Sequence, residues 1–157
     1  MKRFLPIMLA VSVVAQMLLG CSGNSGASEE LTAVEVGRYI QQAASLDDMK
    51  QGDWEKLQKL FHIEAEKVED FVLYTASSNV KADELAVIKA KDANEVDTLI
   101  ENIQKRIDAQ SVKFQGYRPE EYYLIERHVL KTKGRFILFA VSEEADRMEE
   151  VFDEALK

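Results

Sequence analysis

Phe136-Ile137-Leu138-Phe139-Ala140-Val141 is an unbroken run of six apolar residues, bounded by Lys133-Gly134 before it and Ser142 after it. Six residues make less than two turns of helix but an ordinary strand. A strand apolar at every position has no face to give to water, so it is predicted inside a sheet. His128–Thr132, on the far side of Lys133-Gly134, is its partner, because a glycine between two β-rich runs signals a hairpin. Phe71–Ala76 and Leu85–Ala90 predict a second pair, broken by Ser77-Ser78-Asn79. The apolar centre of Leu85–Ala90 places that strand in the interior too.

The helices follow from a different period. Thr32 and Glu35 have capping-box spacing, and Val36, Tyr39, Ile40 and Ala43 then recur at helical intervals. After a loop near Asp47–Gly52, Asp53 can cap a helix in which Trp54, Leu57, Leu60 and Phe61 share a face. Trp54 among leucines reads as packing. Glu66–Asp70 reads as a short helical turn. The strongest helix places Val96, Leu99, Ile100, Ile103, Ile107 and Phe114 on one stripe and most of its charges, Arg106 included, on the other; Gly116 stops it. Pro119 opens a short helix. Ser142 caps the last one, with Glu143 and Glu144 in its first turn and Ala145, Met148, Phe152, Ala155 and Leu156 as its stripe. The expected fold is α+β: a four-stranded, mostly antiparallel sheet in ββα-ββα order, covered by helices on one face, with two N-terminal helices packed at an end or beside the others.

The beginning of the chain reads as an address. Lys2 and Arg3 precede a mostly apolar run, Phe4–Leu19, and Gly20 supplies a small residue: the order of a secretory signal peptide. At about 1.5 Å per residue the run spans roughly 24 Å, short of a ~30 Å hydrocarbon core, although an uncleaved membrane helix is the alternative. Leu18-Leu19-Gly20-Cys21 resembles the lipobox of bacterial lipoproteins, Leu19 being bulkier than the usual second residue. That resemblance implies cleavage before Cys21, a diacylglyceryl thioether on its sulfur and a palmitate-type acyl group on the new amine. Two or more chains hold a membrane stably where one does not. Cys21 is the single cysteine, so no disulfide within the chain is available and the core alone must hold the fold. The expected organisation is a signal peptide over 1–20, the lipidated cysteine and a Gly/Ser-rich tether over 21–31, and one globular domain over 32–157.

Charge bounds the partners. The chain carries 20 basic and 28 acidic residues, a balance of −8; losing Lys2 and Arg3 with the signal makes it −10. A surface of that sign disfavours nucleic acid and anionic headgroups, and leaves the acyl chains of Cys21 as the link to the bilayer. No HExxH, Cys/His cluster, EF-hand loop, P-loop, GxGxxG or GxSxG occurs, so no catalytic residue, metal ligand or cofactor is assigned. His62 and His128 have acidic neighbours but no ligand spacing, and read as loop or surface histidines. The paired carboxylates (Asp47-Asp48, Glu120-Glu121, Glu143-Glu144, Glu149-Glu150) read as solvated faces and helix starts. Ser77-Ser78-Asn79, a polar loop between two core strands, is the candidate binding loop. Gln110, Tyr117 and Arg118 form a possible polar patch near a helix end.

Several stretches also carry a resemblance: Ala82–Lys89, Arg106–Gln110 leading to Phe114, Tyr117 and Pro119, and Lys133-Gly134 before an apolar strand. Together they resemble the domain-of-unknown-function family numbered 4358, small lipoproteins of Gram-positive bacteria, over roughly Val34 to Glu150. The resemblance implies a cell-membrane, extracytoplasmic location and assigns no activity or site residue. The leading expectation is a membrane-anchored extracytoplasmic lipoprotein acting as an interaction or accessory module of the cell envelope, bound to an envelope protein and not an enzyme. A binder of a small ligand or ion is the first alternative, and a hydrolase with an unrecognised site the second.

Overall fold

The computed structural model describes residues 29–157. Cys21 and the preceding Leu18, Leu19 and Gly20, with the rest of the signal segment and most of the tether, lie outside the described residues. The order of elements is helix α1 (Ala33–Ala43), strand β1 (Met49–Gly52), helix α2 (Trp54–Phe61), strands β2 (Val68–Ala76) and β3 (Glu84–Ala90), helices α3 (Val96–Phe114) and α4 (Pro119–Glu126), strands β4 (Val129–Lys133) and β5 (Phe136–Val141), and helix α5 (Ala145–Ala155). No helix among the described residues is long and apolar enough to cross a membrane.

The fold is α+β, but its antiparallel sheet has five strands, in the order β1-β2-β3-β5-β4. The additional strand is β1, expected as loop. Met49-Lys50-Gln51-Gly52 lacks strand-forming residues and is held by pairing alone, Met49 opposite Ala76 and Gly52 opposite Leu73. Helices cover both faces rather than one. Val72, Leu85, Val87, Phe136 and Leu138 face α1 and α5, meeting Val36, Ile40, Met148 and Phe152. Leu73, Ala86, Ile88, Ile137 and Phe139 face the other way, onto Leu57 and Phe61 of α2 and Leu99, Ile103 and Ile107 of α3. The two N-terminal helices therefore lie on opposite sides. This is what a strand apolar at every position requires: β5 is buried along its whole length, and so is β3, its charged Glu84 and Lys89 included.

Local signals resolve as follows. Thr32 and Glu35 form the capping box, and Asp53 accepts from the Lys56 amide at 2.9 Å. Lys133 pairs with Phe136 across a two-residue turn in which Gly134 takes a φ of 57°, left-handed as such hairpins demand. Glu66–Asp70 is not a helical turn: a 3₁₀ turn ends at Lys67 and β2 begins at Val68, where pairing with Ala90 takes the chain into the sheet. Ser142 accepts from the Glu144 amide at 3.1 Å in a turn ahead of α5, whose N-cap position is Glu144.

Gly37 sets how closely α1 lies on the sheet. A Cβ there would stand 2.4 Å from Cγ1 of buried Val72. Gly37→Ala gains about 1 kcal/mol of helix propensity, but overpacking a core costs roughly 1–3 kcal/mol. The expected result is a lower urea midpoint with an unchanged m-value; equal or higher stability would show that α1 can shift outward freely.

One end of the sheet, where β2 begins and β3 ends, receives the incoming chain. Lys89 is buried there, its ammonium donating to the carbonyls of Glu29 and Leu31 at 2.8 and 2.9 Å and pairing with Glu69 at 3.0 Å. Arg135 pairs with both Glu29 and Glu69. The residues at the end of the segment read as tether, Glu29–Leu31, are thus docked on the sheet.

Candidate functional site

The opposite end of the sheet, where β2 ends and β3 begins, carries the loop containing Ser77-Ser78-Asn79. The loop is pinned. The Ser77 amide donates to the Asp48 carbonyl at 2.8 Å, and the Ala76 amide to that of Asp83 at 2.8 Å. Glu121, from α4, accepts the Ala82 amide at 2.8 Å and pairs with Lys81 at 2.9 Å. Glu121 is therefore buried, not part of a solvated face; Pro119 starts α4 so that its first turn points this carboxylate inward. The hydrogen bond that Lys81 donates to Glu121 raises the pKa of Lys81, which stays charged.

Three hollows open around this loop, and Lys81 lines all of them. The largest, about 830 Å³, is a mixed-charge groove between α4 and the start of α5, with Arg118, Glu120, Arg127, Ser142 and Asp146 on its walls. A small acidic one of about 190 Å³ gathers Asp47, Asp48, Asp83, Glu143 and Glu144. The third, about 290 Å³, lies under the candidate loop and is lined by Ser77, Ser78 and Asn79 with Lys56, Thr75, Asp83, Glu84, Arg106, Gln110 and Lys113.

The third hollow has the most built interior. Thr75 and Glu84 are paired across β2 and β3, and both are buried. Arg106 reaches down from α3 and donates through Nε to both carboxylate oxygens of Glu84, at 3.2 and 3.1 Å. Its guanidinium lies 5.9 Å from the centroid of the Phe61 ring. Burial pushes the Glu84 carboxyl above its usual range, and Arg106 opposes the shift. Asp83 is raised as well, by burial and then by Glu121. Oγ1 of Thr75 is buried with no hydrogen-bond partner. A buried hydroxyl normally has one, so this orphan marks a place where something else can bond.

The sequence singled out the loop but not the residues beneath it. Arg106 was expected on the solvent face of α3. Its spacing from Ile103 and Ile107, and that of Gln110 from the same residues, puts both on the rim of the apolar stripe, the one available hint. Gln110 is buried in this hollow while Arg118 lines the large groove and Tyr117 is exposed, so the patch proposed from these three is divided. His62 ends α2 in a left-handed conformation and offers its carbonyl to Asn102 at 3.0 Å. His128 sets Nδ1 2.7 Å from the Ile125 carbonyl. Among the described residues no group of three or more His, Cys, Asp or Glu side chains is arranged to hold a metal ion.

The sequence model of a family described as Domain of unknown function (DUF4358) matches residues 42–142. The chain belongs to the DUF4358 family. The DUF4358 match runs from the end of α1 to Ser142 and takes in the whole sheet, the candidate loop and the residues of the third hollow. No curated protein and no solved structure matches the chain.

Proposed function

We propose that the protein is a lipid-anchored accessory module on the extracytoplasmic face of the membrane, and that its DUF4358 domain acts by binding a small ligand at the loop end of the sheet. The observation that carries the binding reading is the polar hollow under Ser77-Ser78-Asn79, where charged and hydroxyl groups converge on a rigid floor. Thermal shift against a small-molecule library tests it. A ligand at a hundredfold excess over Kd adds about 2.7 kcal/mol of stability. A library without a stabilising compound, or one whose binders all map elsewhere, sinks the reading.

The anchor rests on Leu18-Leu19-Gly20-Cys21 and on the apolar run before it. Cys21→Ser removes the only thiol available for the thioether, so the protein is expected to move from the membrane fraction to the soluble or secreted one. A variant that stays in the membrane fraction leaves the uncleaved helix as the anchor.

A second reading, docking of an envelope protein, is favoured by Tyr117 and Tyr123. Both are exposed large side chains, and Tyr123 lines the large groove. Crosslinking in the envelope through Tyr123 would recover one specific partner if this reading holds.

A further inference from the structure

We propose that the hollow over Thr75 is a site for the anionic group of a small ligand, a carboxylate or phosphate, held by Arg106, Lys56 and Lys113 above the Thr75 hydroxyl. The inference rests on the ligand-binding reading of this site and names the chemistry of what enters it.

The charges are the first argument. The chain as a whole is acidic, at −8, yet the lining of this hollow is cationic on balance, with Lys56, Lys81, Arg106 and Lys113 against Asp83 and Glu84. Lys81 is held by Glu121, which leaves Arg106, Lys56 and Lys113 to set the field inside. Glu84 is bonded only to Arg106, although Lys56 and Lys113 also act on its charge from farther away, and both bonds use Nε, so the terminal nitrogens of the guanidinium are not spent on Glu84. Among the described residues no ion pair holds Lys56 or Lys113. With Lys81 held by Glu121, two ammonium groups and a guanidinium edge stand around one cavity against the carboxylates of Asp83 and Glu84, an excess of positive charge on an acidic chain that favours an anion.

The floor is the second, independent argument. Thr75 is only 6 % exposed, lines the hollow, and has a hydroxyl without a partner. A hydroxyl there gains nothing from the protein, and valine would fill the same place in the strand. The oxygen itself is sealed, so an oxyanion entering the hollow would accept the hydroxyl proton once the side chains over it part, while the guanidinium and the ammonium groups carry the charge. At about 290 Å³ the cavity admits a small molecule and not a polymer chain.

The test titrates the full-length protein with succinate and with inorganic phosphate at constant ionic strength, with chloride as control, and reads calorimetric affinity and amide chemical shifts. Saturable binding of either oxyanion is expected, with shifts concentrated in the segments around Thr75, Ser77–Asn79 and Arg106; the tighter of the two identifies the head group. Lys113→Gln should weaken it about tenfold, as expected for one charge-assisted contact. Thr75→Val should weaken it about fivefold or more while leaving the free protein at least as thermally stable, since a partnerless hydroxyl is removed without a change of shape. Loss of affinity with gain of stability cannot come from misfolding. Absence of saturable binding by both oxyanions, or affinity unchanged in both variants, overturns the proposal. If instead a neutral or cationic library compound saturates the hollow, the anion is wrong and the ligand-binding reading stands; if no compound of any charge perturbs it, both fall.

Discussion

Replacing Arg106 with leucine should lower stability at neutral pH by about 3–5 kcal/mol, the usual cost of removing one partner from a buried ion pair. The reason lies with Glu84. Its side chain is 1 % exposed, at the start of a strand buried along its whole length, and Arg106 is the one cation bonded to it among the described residues. Without Arg106 the buried carboxylate keeps only the more distant charges of Lys56 and Lys113, and it meets the loss by taking up a proton. The sign of the pH dependence follows. The folded-state pKa of Glu84 is already pushed up by burial, from about 4.3 in an unfolded chain. A carboxyl raised in this way binds more protons folded than unfolded, so stability is full below about 4.3 and falls as pH climbs through the folded value. Arg106 restrains that rise, and its removal carries the window to higher pH. The deficit of Arg106→Leu should accordingly be largest near pH 7 and shrink at pH 5, as measured by urea unfolding. Adding Glu84→Leu should recover most of it. A deficit equal at both pH values would mean that Arg106 acts through packing alone.

Phe61→Ala is expected to cost a similar amount, roughly 3–5 kcal/mol, for a different reason. The ring is fully buried at the end of α2 and meets Phe139 of β5 edge-on, with centroids 6.0 Å apart and planes at 79°. Both residues sit in strongly packed surroundings, α2 and α3 on one side and an interior strand on the other, so the void has little freedom to collapse. Phe61 also lies under the Arg106 guanidinium, and its removal should loosen the pair with Glu84 as well. Tyr123→Ala, at an exposed ring, is the control and should change stability by no more than about 0.5 kcal/mol. A loss below about 1.5 kcal/mol for Phe61→Ala would show that the α2–sheet interface repacks.

These two sites mark how far the amino-acid order could be read. Elements stabilised by their own residues were legible: the Thr32–Glu35 box, the Asp53 cap, the α3 stripe and the hairpin at Gly134 are all local. β1 was not, because nothing in Met49–Gly52 prefers a strand and its stability comes from β2, far along the chain. Coverage of both faces was present as a signal, since β5 is apolar at every position and β3 from Leu85 to Ile88, but it was read only as interior placement. The candidate loop was legible because Ser77-Ser78-Asn79 interrupts two strands. The floor beneath it was not. Thr75 looks like any β-branched strand residue, and the bond between Glu84 and Arg106 joins residues 22 apart that only the tertiary fold brings together.

The docking of Glu29 and Leu31 on Lys89 gives the domain a polarity. Glu29 and Leu31 sit at one pole of the sheet, and the hollow over Thr75 is at the other, separated along β3 by the steps from Lys89 to Glu84, about 17 Å at strand rise. A chain held by lipid at Cys21 would be grasped from below, with at most about 29 Å of extended backbone between the sulfur-bearing residue and Glu29. The mouth of the hollow would then point outward, away from the bilayer that holds it. If Cys21 carries the lipid, changing the number of residues between it and Glu29 would alter how far the domain reaches without altering the hollow itself.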